Sequence, residues 1–225
     1  MENKVATAQT YPASWFDDGC RRCARLAACL DEVRARHPEY HAAPVPPFGP
    51  ADAPLLLVGL APGMHGANRT GRPFTGDHAG ILLYRTLFDL GLATAPESVA
   101  ADDGLELLGC RITNAVKCLP PANKPLPAEV RECRRWLAPE LAESRPQVVL
   151  ALGRIAHDAT LGALGLRRAS WGFSHGARHR LPGGMVLFDS YHCSRYNTQT
   201  RRLTEPMFRE VVGRAAEAAG VGQRT

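Results

Sequence analysis

The sequence predicts an α/β fold in which one parallel sheet is covered by helices on both faces. Four short apolar segments alternate with stretches whose apolar residues repeat at helical spacing, a pattern typical of parallel sheets. The chain has 225 residues, which suits one domain with a full hydrophobic core. We therefore predict a single domain, residues 1–225, built on a central four-stranded parallel sheet.

The four apolar segments are interpreted as buried strands, and the stretches between them as helices. The strands are residues 54–60 (PLLLVGL), 110–116 (CRITNAV), 147–153 (QVVLALG) and 185–191 (MVLFDSY). The helix-like stretches are residues 79–93, 127–144 and 154–165. Pro127 suits the first turn of its helix, whereas Pro139 is expected to kink or end the same helix.

Further elements are expected on either side of this core. Residues 14–36 have a helical pattern and residues 41–54 have the composition of an extended linker, so we place an N-terminal helix and linker over residues 14–53. A last helix around 203–218 closes the α/β core, which spans residues 54–218. Residues 219–225 form the tail, of which GVGQRT (220–225) is predicted to be disordered.

Composition narrows the functional class. The net charge of +5 is compatible with a polyanionic partner. No stretch approaches the roughly 20 apolar residues that a membrane helix needs, and the first residues lack an apolar signal core. We therefore expect an intracellular, cytoplasmic protein that does not contact a membrane. Seven cysteines in such a chain favour metal ligands or buried thiols over disulfides.

Four of these cysteines form two pairs. The pairs are Cys20 with Cys23, two residues apart near the N-terminus, and Cys118 with Cys133, which spans a proline-rich loop and the next helix. Four thiolates in two pairs can surround a zinc ion or an iron–sulfur cluster. The alternative is that Cys118 and Cys133 are small buried apolar residues, as free cysteines often are. Spacing alone does not choose between zinc and iron.

Three polar loops leave the carboxyl ends of predicted strands, namely residues 61–80, 113–125 and 191–200. Ligands of open parallel sheets bind beyond these ends, so we expect the loops to converge on one site. The first loop is rich in glycine, which lets another molecule approach the main chain closely.

The order of these motifs resembles the iron–sulfur uracil-DNA glycosylases. The chain has the first cysteine pair, GLAPGMHGANRTGRPFTGD (59–77), TNAVKC (113–118), a later cysteine and YHCSRYN (191–197) in that order. The variant HGANRTGRPFTGD resembles the family 5 branch, and the likeness spans roughly residues 15–212. It implies a three-layer α/β/α uracil-DNA glycosylase fold. It also implies a [4Fe-4S] cluster on Cys20, Cys23, Cys118 and Cys133, with zinc as the less favoured occupant.

The resemblance also implies roles for residues of the three loops. Phe74 matches the aromatic residue that stacks on the flipped base, and Asn114 matches the amide that recognises the pyrimidine edge. His192 matches the histidine that hydrogen-bonds the base O2 as charge develops. Family 4 has a glutamate where this chain has Leu60, so Asp77 is the candidate for orienting water, as in family 5. The alternative for Asp77 is that it caps the following helix, and the two roles can coexist.

The remaining motif residues are assigned to the base pocket or to DNA. Gly59 and Ala61 are placed beside the base. The residues expected to contact DNA are Gly63, Gly66, Arg69, Arg72, Ser194, Arg195, Tyr196 and Asn197. One of the two loop arginines could instead brace the loop, and the segment 194–197 could be a solvated surface loop. Cys193 stands where the family usually has proline.

The leading hypothesis is a monofunctional DNA glycosylase of base-excision repair that acts as a monomer. Its substrates would be DNA carrying uracil or other deaminated bases such as hypoxanthine and xanthine, and it would associate with the nucleoid when bound to DNA. No lysine occupies the motif positions that a Schiff base to the sugar would require. One alternative is a non-catalytic or covalently trapping damage-binding protein of the same fold. Another is a zinc-stabilised nucleic-acid-binding module.

Overall fold

The computed structural model describes residues 11–222 and contains a five-stranded sheet with the order β2-β1-β3-β5-β4. The strands are β1 Leu55–Gly59, β2 Cys110–Asn114, β3 Val148–Leu152, β4 Arg178–Arg180 and β5 Val186–Ser190. The four strands expected from the sequence are present, and all pair in parallel. The predicted count of four is corrected to five by β4, a short antiparallel edge strand against β5. Its residues Arg-His-Arg carry no apolar alternation, so this segment has no strand pattern of its own.

The helices cover the sheet and its N-terminal approach. They are α1 Ala24–Arg36, α2 Ala67–Thr70, α3 His78–Asp89, α4 Pro127–Ser144, α5 Arg154–Ala163, α6 Arg195–Gln199 and α7 Glu205–Ala218. Single 3₁₀ turns occur at Pro121–Asn123 and Arg168–Ser170. The helix predicted from residue 127 has the expected bounds, and Pro139 lies inside it without ending it.

The N-terminal helix is shorter than predicted. It begins at Ala24 instead of residue 14, and the preceding residues form turns. Trp15 is buried there and its indole N–H donates to Glu143 of α4 at 2.6 Å. This tertiary contact outweighs the helical pattern of residues 14–23. Consequently Cys20 lies ahead of α1 and Cys23 is its N-cap residue.

Alternate residues of the strands pack against helices on opposite faces, as the period of two requires. On one face, Leu55 and Leu57 join a cluster with α3 and α7. On the other, Leu56 and Val58 join a cluster with α4 and α5. The expected three-layer α/β/α architecture is therefore confirmed.

The segment after α7 is packed as far as the structure describes it. The Val221 amide donates to the Ala216 carbonyl at 3.0 Å, and its side chain lies against Gly109 at the edge of the main core. The predicted disorder is thus corrected for residues 220–222, because Val221 completes an apolar surface. Residues 223–225 lie outside the described residues. Within residues 11–222, every helix is too short or too polar to cross a bilayer.

Candidate active site and metal centre

The three polar loops meet at a cavity of about 1210 Å³ beyond the carboxyl ends of β1, β2, β3 and β5. Its walls include residues of the Gly-rich loop, the end of β2 with its proline-rich loop, and the segment after β5. The convergence expected from the parallel sheet is therefore observed. The cavity brings Phe74, Asp77, Asn114 and His192 together.

The innermost wall consists of Gly59, Phe74 and Asn114. A Cβ atom at Gly59 would overlap Oδ1 of Asn114 and lie 2.7 Å from the ring of Phe74. Glycine is therefore required at this last residue of β1 for the two side chains to occupy their positions. The Phe74 ring also stacks on the His192 imidazole, with ring centroids 5.8 Å apart and planes at 27°.

Phe74 is held in an unusual backbone conformation. Its φ of +55° lies in the left-handed region, which costs a bulky side chain about 1–3 kcal/mol. Two neighbours enforce the conformation. The Tyr84 hydroxyl donates to the Pro73 carbonyl at 2.8 Å, and the Phe74 carbonyl occupies the space that a Cβ at Gly80 would need. The strained backbone at Phe74 therefore places its ring in the cavity wall.

Asn114 presents an unpartnered acceptor. It ends β2 with a side chain that is 3% exposed, and its Oδ1 has no hydrogen-bond partner within residues 11–222. Leaving a buried polar atom unpaired costs about 1–3 kcal/mol. Because Asn114 lines the cavity, this oxygen is available to accept an N–H group from a bound molecule.

Asp77 uses its two carboxylate oxygens differently. Oδ1 accepts the Gly80 amide at 2.9 Å and so caps α3. Oδ2 faces the Gly-rich backbone, where a Cβ added to Gly63 would lie 3.2 Å away and one added to Gly66 only 2.5 Å away. The capping and chemical interpretations of Asp77 are therefore compatible, since capping leaves one oxygen at the cavity.

His192 follows β5 by two residues and is half-buried beside Phe74. Burial lowers the pKa of its imidazole, although the negative charge of Asp77 acts in the opposite direction. A neutral imidazole can still donate one N–H to a ligand. The next residue, Cys193, is fully buried in the core, and this burial raises the pKa of its thiol. Cys193 is therefore a neutral packing residue.

The two loop arginines have structural partners. Arg72 is buried, with Nη1 2.5 Å from Asp103 and 2.9 Å from the Ser98 hydroxyl, and its guanidinium lies 4.3 Å from the centre of the Phe48 ring. These contacts favour the bracing alternative for Arg72, and its phosphate contact stays a prediction. Asp103 lies too far along the chain for the motif to reveal the pair. Arg69 is exposed, and its Nε donates to the His65 carbonyl at 2.8 Å.

The segment after His192 is divided between bracing and exposed residues. Ser194 caps α6, and Nδ2 of Asn197 donates to the His192 carbonyl at 2.8 Å. Arg195 and Tyr196 are exposed, Tyr196 by 70%. Ser194 and Asn197 thus shape the loop, and because both are half-buried at the cavity, their DNA contacts stay a prediction. Arg195 and Tyr196 remain free to meet DNA.

Sequence reasoning missed one side of the cavity. This side contains Arg154, Ile155, Phe173, Tyr191 and Arg202. The signal that could have revealed it is Arg154, which comes directly after the third predicted strand. Residues at that position face the ligand side of an open parallel sheet.

The four paired cysteines lie around a second, much smaller cavity, which joins α1, the loop after β2 and α4. The main-chain N–H of Lys117 donates to Sγ of Cys133 at 3.3 Å. Burial raises the pKa of the Cys133 thiol to about 11, and it also raises the pKa of Cys118 and Cys23. The free thiols of Cys23, Cys118 and Cys133 are therefore neutral, and a metal group would have to displace their protons.

A single zinc ion sets an upper limit on the separation of the sulfur atoms that bind it. Two sulfurs bound to one zinc ion at about 2.3 Å each can be no more than about 4.6 Å apart. Across residues 11–222, the one set of three or more possible ligand groups within 4.8 Å of one another is His157, His179 and Asp189, so no three of the paired cysteines meet this limit. As they lie in this structure, the sulfurs would have to move closer together for three of them to bind one zinc ion.

The set of His157, His179 and Asp189 is a hydrogen-bond network. The Asp189 carboxylate forms hydrogen bonds with Nδ1 of His157 at 2.8 Å and with Nε2 of His179 at 3.0 Å. Nε2 of His157 forms a third hydrogen bond, to the Trp171 carbonyl at 3.0 Å. Burial opposes charge on His157, yet the hydrogen bond and charge of Asp189 raise its pKa overall. These bonds engage both nitrogens of His157, and the network supports β5 just before the site.

Comparisons with known proteins agree with this architecture. The model of the Uracil DNA glycosylase superfamily matches residues 46–215. A protein of Thermus thermophilus named "Type-5 uracil-DNA glycosylase" is 51% identical over 208 residues, which cover 90% of this chain and 94% of the relative. A protein of Pyrobaculum aerophilum with the same name is 44% identical over 219 residues, 93% of this chain and 96% of the relative. A "Type-4 uracil-DNA glycosylase" of Saccharolobus solfataricus is 31% identical over 173 residues, 74% of each chain. The chain therefore belongs to the uracil-DNA glycosylase superfamily.

Proposed function

We propose that this protein is a DNA glycosylase that hydrolytically removes uracil in base-excision repair. The superfamily match and the names of the type-5 relatives support this activity. The observation that carries it in the structure is the unpartnered Oδ1 of Asn114, buried beside Phe74 and lining the same cavity as Asp77. The two alternatives, a damage-binding protein and a zinc-stabilised module, lack comparable support.

Recognition of uracil would begin with rotation of the nucleotide out of the duplex. Phe74 offers its ring for stacking, which is worth about 1–3 kcal/mol and tolerates different bases. Oδ1 of Asn114 accepts from uracil N3–H, and its amide donates to O4. Cytosine presents the opposite pattern at these two positions and would leave Asn114 unpaired.

Cleavage of the glycosidic bond places positive charge on the sugar and negative charge on the departing base. The free oxygen of Asp77 would orient water toward the sugar and stabilise its developing charge. Neutral His192 would donate an N–H to the base O2 as that oxygen becomes negative. Leu60 has no group that could replace the carboxylate of Asp77.

We extend the proposed substrates to hypoxanthine and xanthine. Stacking on Phe74 tolerates purines as well as pyrimidines, so the aromatic wall of the cavity does not restrict the substrate to uracil. The protein would act as a monomer on DNA of the cytoplasmic nucleoid.

The direct test is single-turnover release of the base from matched oligonucleotides carrying uracil, hypoxanthine, xanthine or cytosine. We expect release of uracil and the deaminated purines, no release of cytosine, and an intact strand until alkali is added. Tight binding without base release would support the damage-binding alternative instead. Strand cleavage without alkali would contradict the monofunctional mechanism.

We further propose that Cys20, Cys23, Cys118 and Cys133 hold a [4Fe-4S] cluster. All four cysteines line one small cavity, and the Lys117 N–H that donates to Cys133 would stabilise a thiolate ligand there. The cluster would cross-link α1 to α4 and to the loop after Asn114, and no step of base removal is assigned to it.

This assignment predicts about four irons per chain and a brown colour in the purified protein. Cys23→Ala should lower both the iron content and the yield of folded protein, because the N-cap of α1 would lose its attachment. Cys29→Ala is the matched control, since Cys29 is half-buried on α1 itself and lies outside the set. Colourless protein with one zinc per chain would overturn the cluster.

A further inference from the structure

The side of the main cavity that lies beyond His192 contains two arginines stacked on aromatic rings. The Arg154 guanidinium carbon lies 5.3 Å from the centre of the Phe173 ring, and that of Arg202 lies 4.6 Å from the centre of the Tyr191 ring. The two rings are neighbours, with centroids 6.2 Å apart and planes at 51°. All four residues line the cavity that contains Asp77 and His192.

Neither guanidinium has an acidic partner. Other arginines near the loops are neutralised, as Arg72 is by Asp103 and Arg25 is by Glu129. Across residues 11–222, Arg154 and Arg202 form no ion pair and donate no hydrogen bond to the protein, and both are exposed. Their N–H groups are therefore available to an anion from outside the chain.

The aromatic rings hold the arginines in place. A guanidinium that rests on a ring loses its freedom before the ligand arrives, so less entropy is lost on binding. Tyr191 is itself fixed, because its ring stacks on His175 at 5.1 Å and 18°, and its main-chain N–H donates to Nδ1 of His175 at 3.2 Å. Burial lowers the pKa of His175, so its ring adds no positive charge to repel Arg202.

The position of the pair in the fold indicates what it binds. Tyr191 directly precedes His192, and Arg154 directly follows Gly153. A Cβ atom added to Gly153 would lie 3.4 Å from the Cβ of His192, so Gly153 packs against that residue. A nucleotide whose base enters the cavity beside Phe74 and His192 would therefore have its flanking backbone near these arginines. Forked guanidinium donors match the geometry of a phosphodiester.

Resting on the proposed function, we propose that Arg154 and Arg202 form a phosphate-binding subsite for the DNA strand that carries the flipped nucleotide. Each arginine grips a phosphodiester flanking that nucleotide and holds the strand while its base occupies the cavity. The subsite reads no sequence, since phosphate contacts fix position alone.

The test measures binding to a duplex with a tetrahydrofuran abasic site, which the protein cannot cleave. Each neutralised phosphate contributes about 0.9 to the slope of log K against log salt. Arg154→Gln and Arg202→Gln should each lower that slope by about one, and the double variant by about two. Arg180→Gln is the control for loss of one positive charge, because Arg180 is exposed on β4 and does not line the cavity. It should leave the slope unchanged.

A second arm identifies the strand. Neutral methylphosphonates that flank the abasic site on the damaged strand should weaken binding by the wild type but not by the double variant. The same change on the opposite strand should weaken both proteins equally. Equal losses for both proteins on the damaged strand, or a slope change no larger than that of Arg180→Gln, would overturn the subsite.

Lysine replacements guard against misfolded glutamine variants. Arg154→Lys and Arg202→Lys keep the charge but lose the forked donors, so both the salt slope and the methylphosphonate effect should remain while the overall affinity falls. Uracil release by the wild type is measured on the same preparation. If release is normal and both binding arms fail, the subsite is wrong and the proposed function stands. If release is absent but the binding arms succeed, the proposed function is wrong and the subsite stands.

Discussion

Asp77→Asn should slow single-turnover release of uracil by about 10²–10⁴-fold while leaving DNA affinity and melting temperature close to those of the wild type. This is the range that a general base or charge-stabilising carboxylate contributes. The measurement is excision from a uracil duplex with enzyme in excess, together with binding to an abasic duplex and a thermal melt.

The separation of rate from stability follows from the two carboxylate oxygens. Asparagine keeps an oxygen that can accept the Gly80 amide, so the cap on α3 should change by about 1 kcal/mol or less. The substitution replaces the oxygen that faces Gly63 and Gly66 with an uncharged group, or else presents the amide nitrogen there. In both cases the charge and basicity at the cavity are lost.

Asp89→Asn provides the matched control at the other end of the same helix, where the carboxylate pairs with Arg209 at 2.8 Å outside the cavity. It should leave excision unchanged. If Asp77→Asn retained more than about a tenth of the parent rate, Asp77 would be rejected as the catalytic residue. His192 and main-chain groups would then be the remaining candidates.

The parallel strands β1 and β3 were predictable because each is apolar on both faces. Covering helices leave such a strand no polar side, so its residues form a continuous apolar run, as Leu55–Gly59 does. The short strand Arg178–Arg180 has no such run, because it lies at the exposed edge and pairs on one side alone. Its position is set by the neighbouring strand and not by its own residues.

The site was predictable as a set of residues but not as a set of contacts. The motif put Arg72 and Asn197 among the DNA ligands, because polar residues in a glycine-rich or exposed loop suit that role. In the fold, Arg72 meets Asp103 and Asn197 meets the carbonyl of His192. Such partners depend on how the chain returns to the loop, which local sequence does not encode.

Asn114→Ala should reduce uracil release by at least about 10²-fold without lowering the melting temperature. Hydrogen bonds to the base strengthen as negative charge develops on it, so removing a donor from this position affects the transition state most. The melting temperature of Asn114→Ala depends on a different property of this side chain. The wild type keeps Oδ1 of Asn114 buried without a partner, at a cost of about 1–3 kcal/mol, and alanine removes that cost.

Asn68→Ala is the matched control for this second prediction. Asn68 is also fully buried with both amide atoms unpaired within the described chain, yet it does not line the cavity. Its replacement should therefore affect stability alone and leave excision within a few-fold of wild type. Uracil release by Asn114→Ala at the parent rate would show that this amide does not read the base. A large loss of melting temperature would contradict the assignment of Oδ1 as an unpaired acceptor in the free protein.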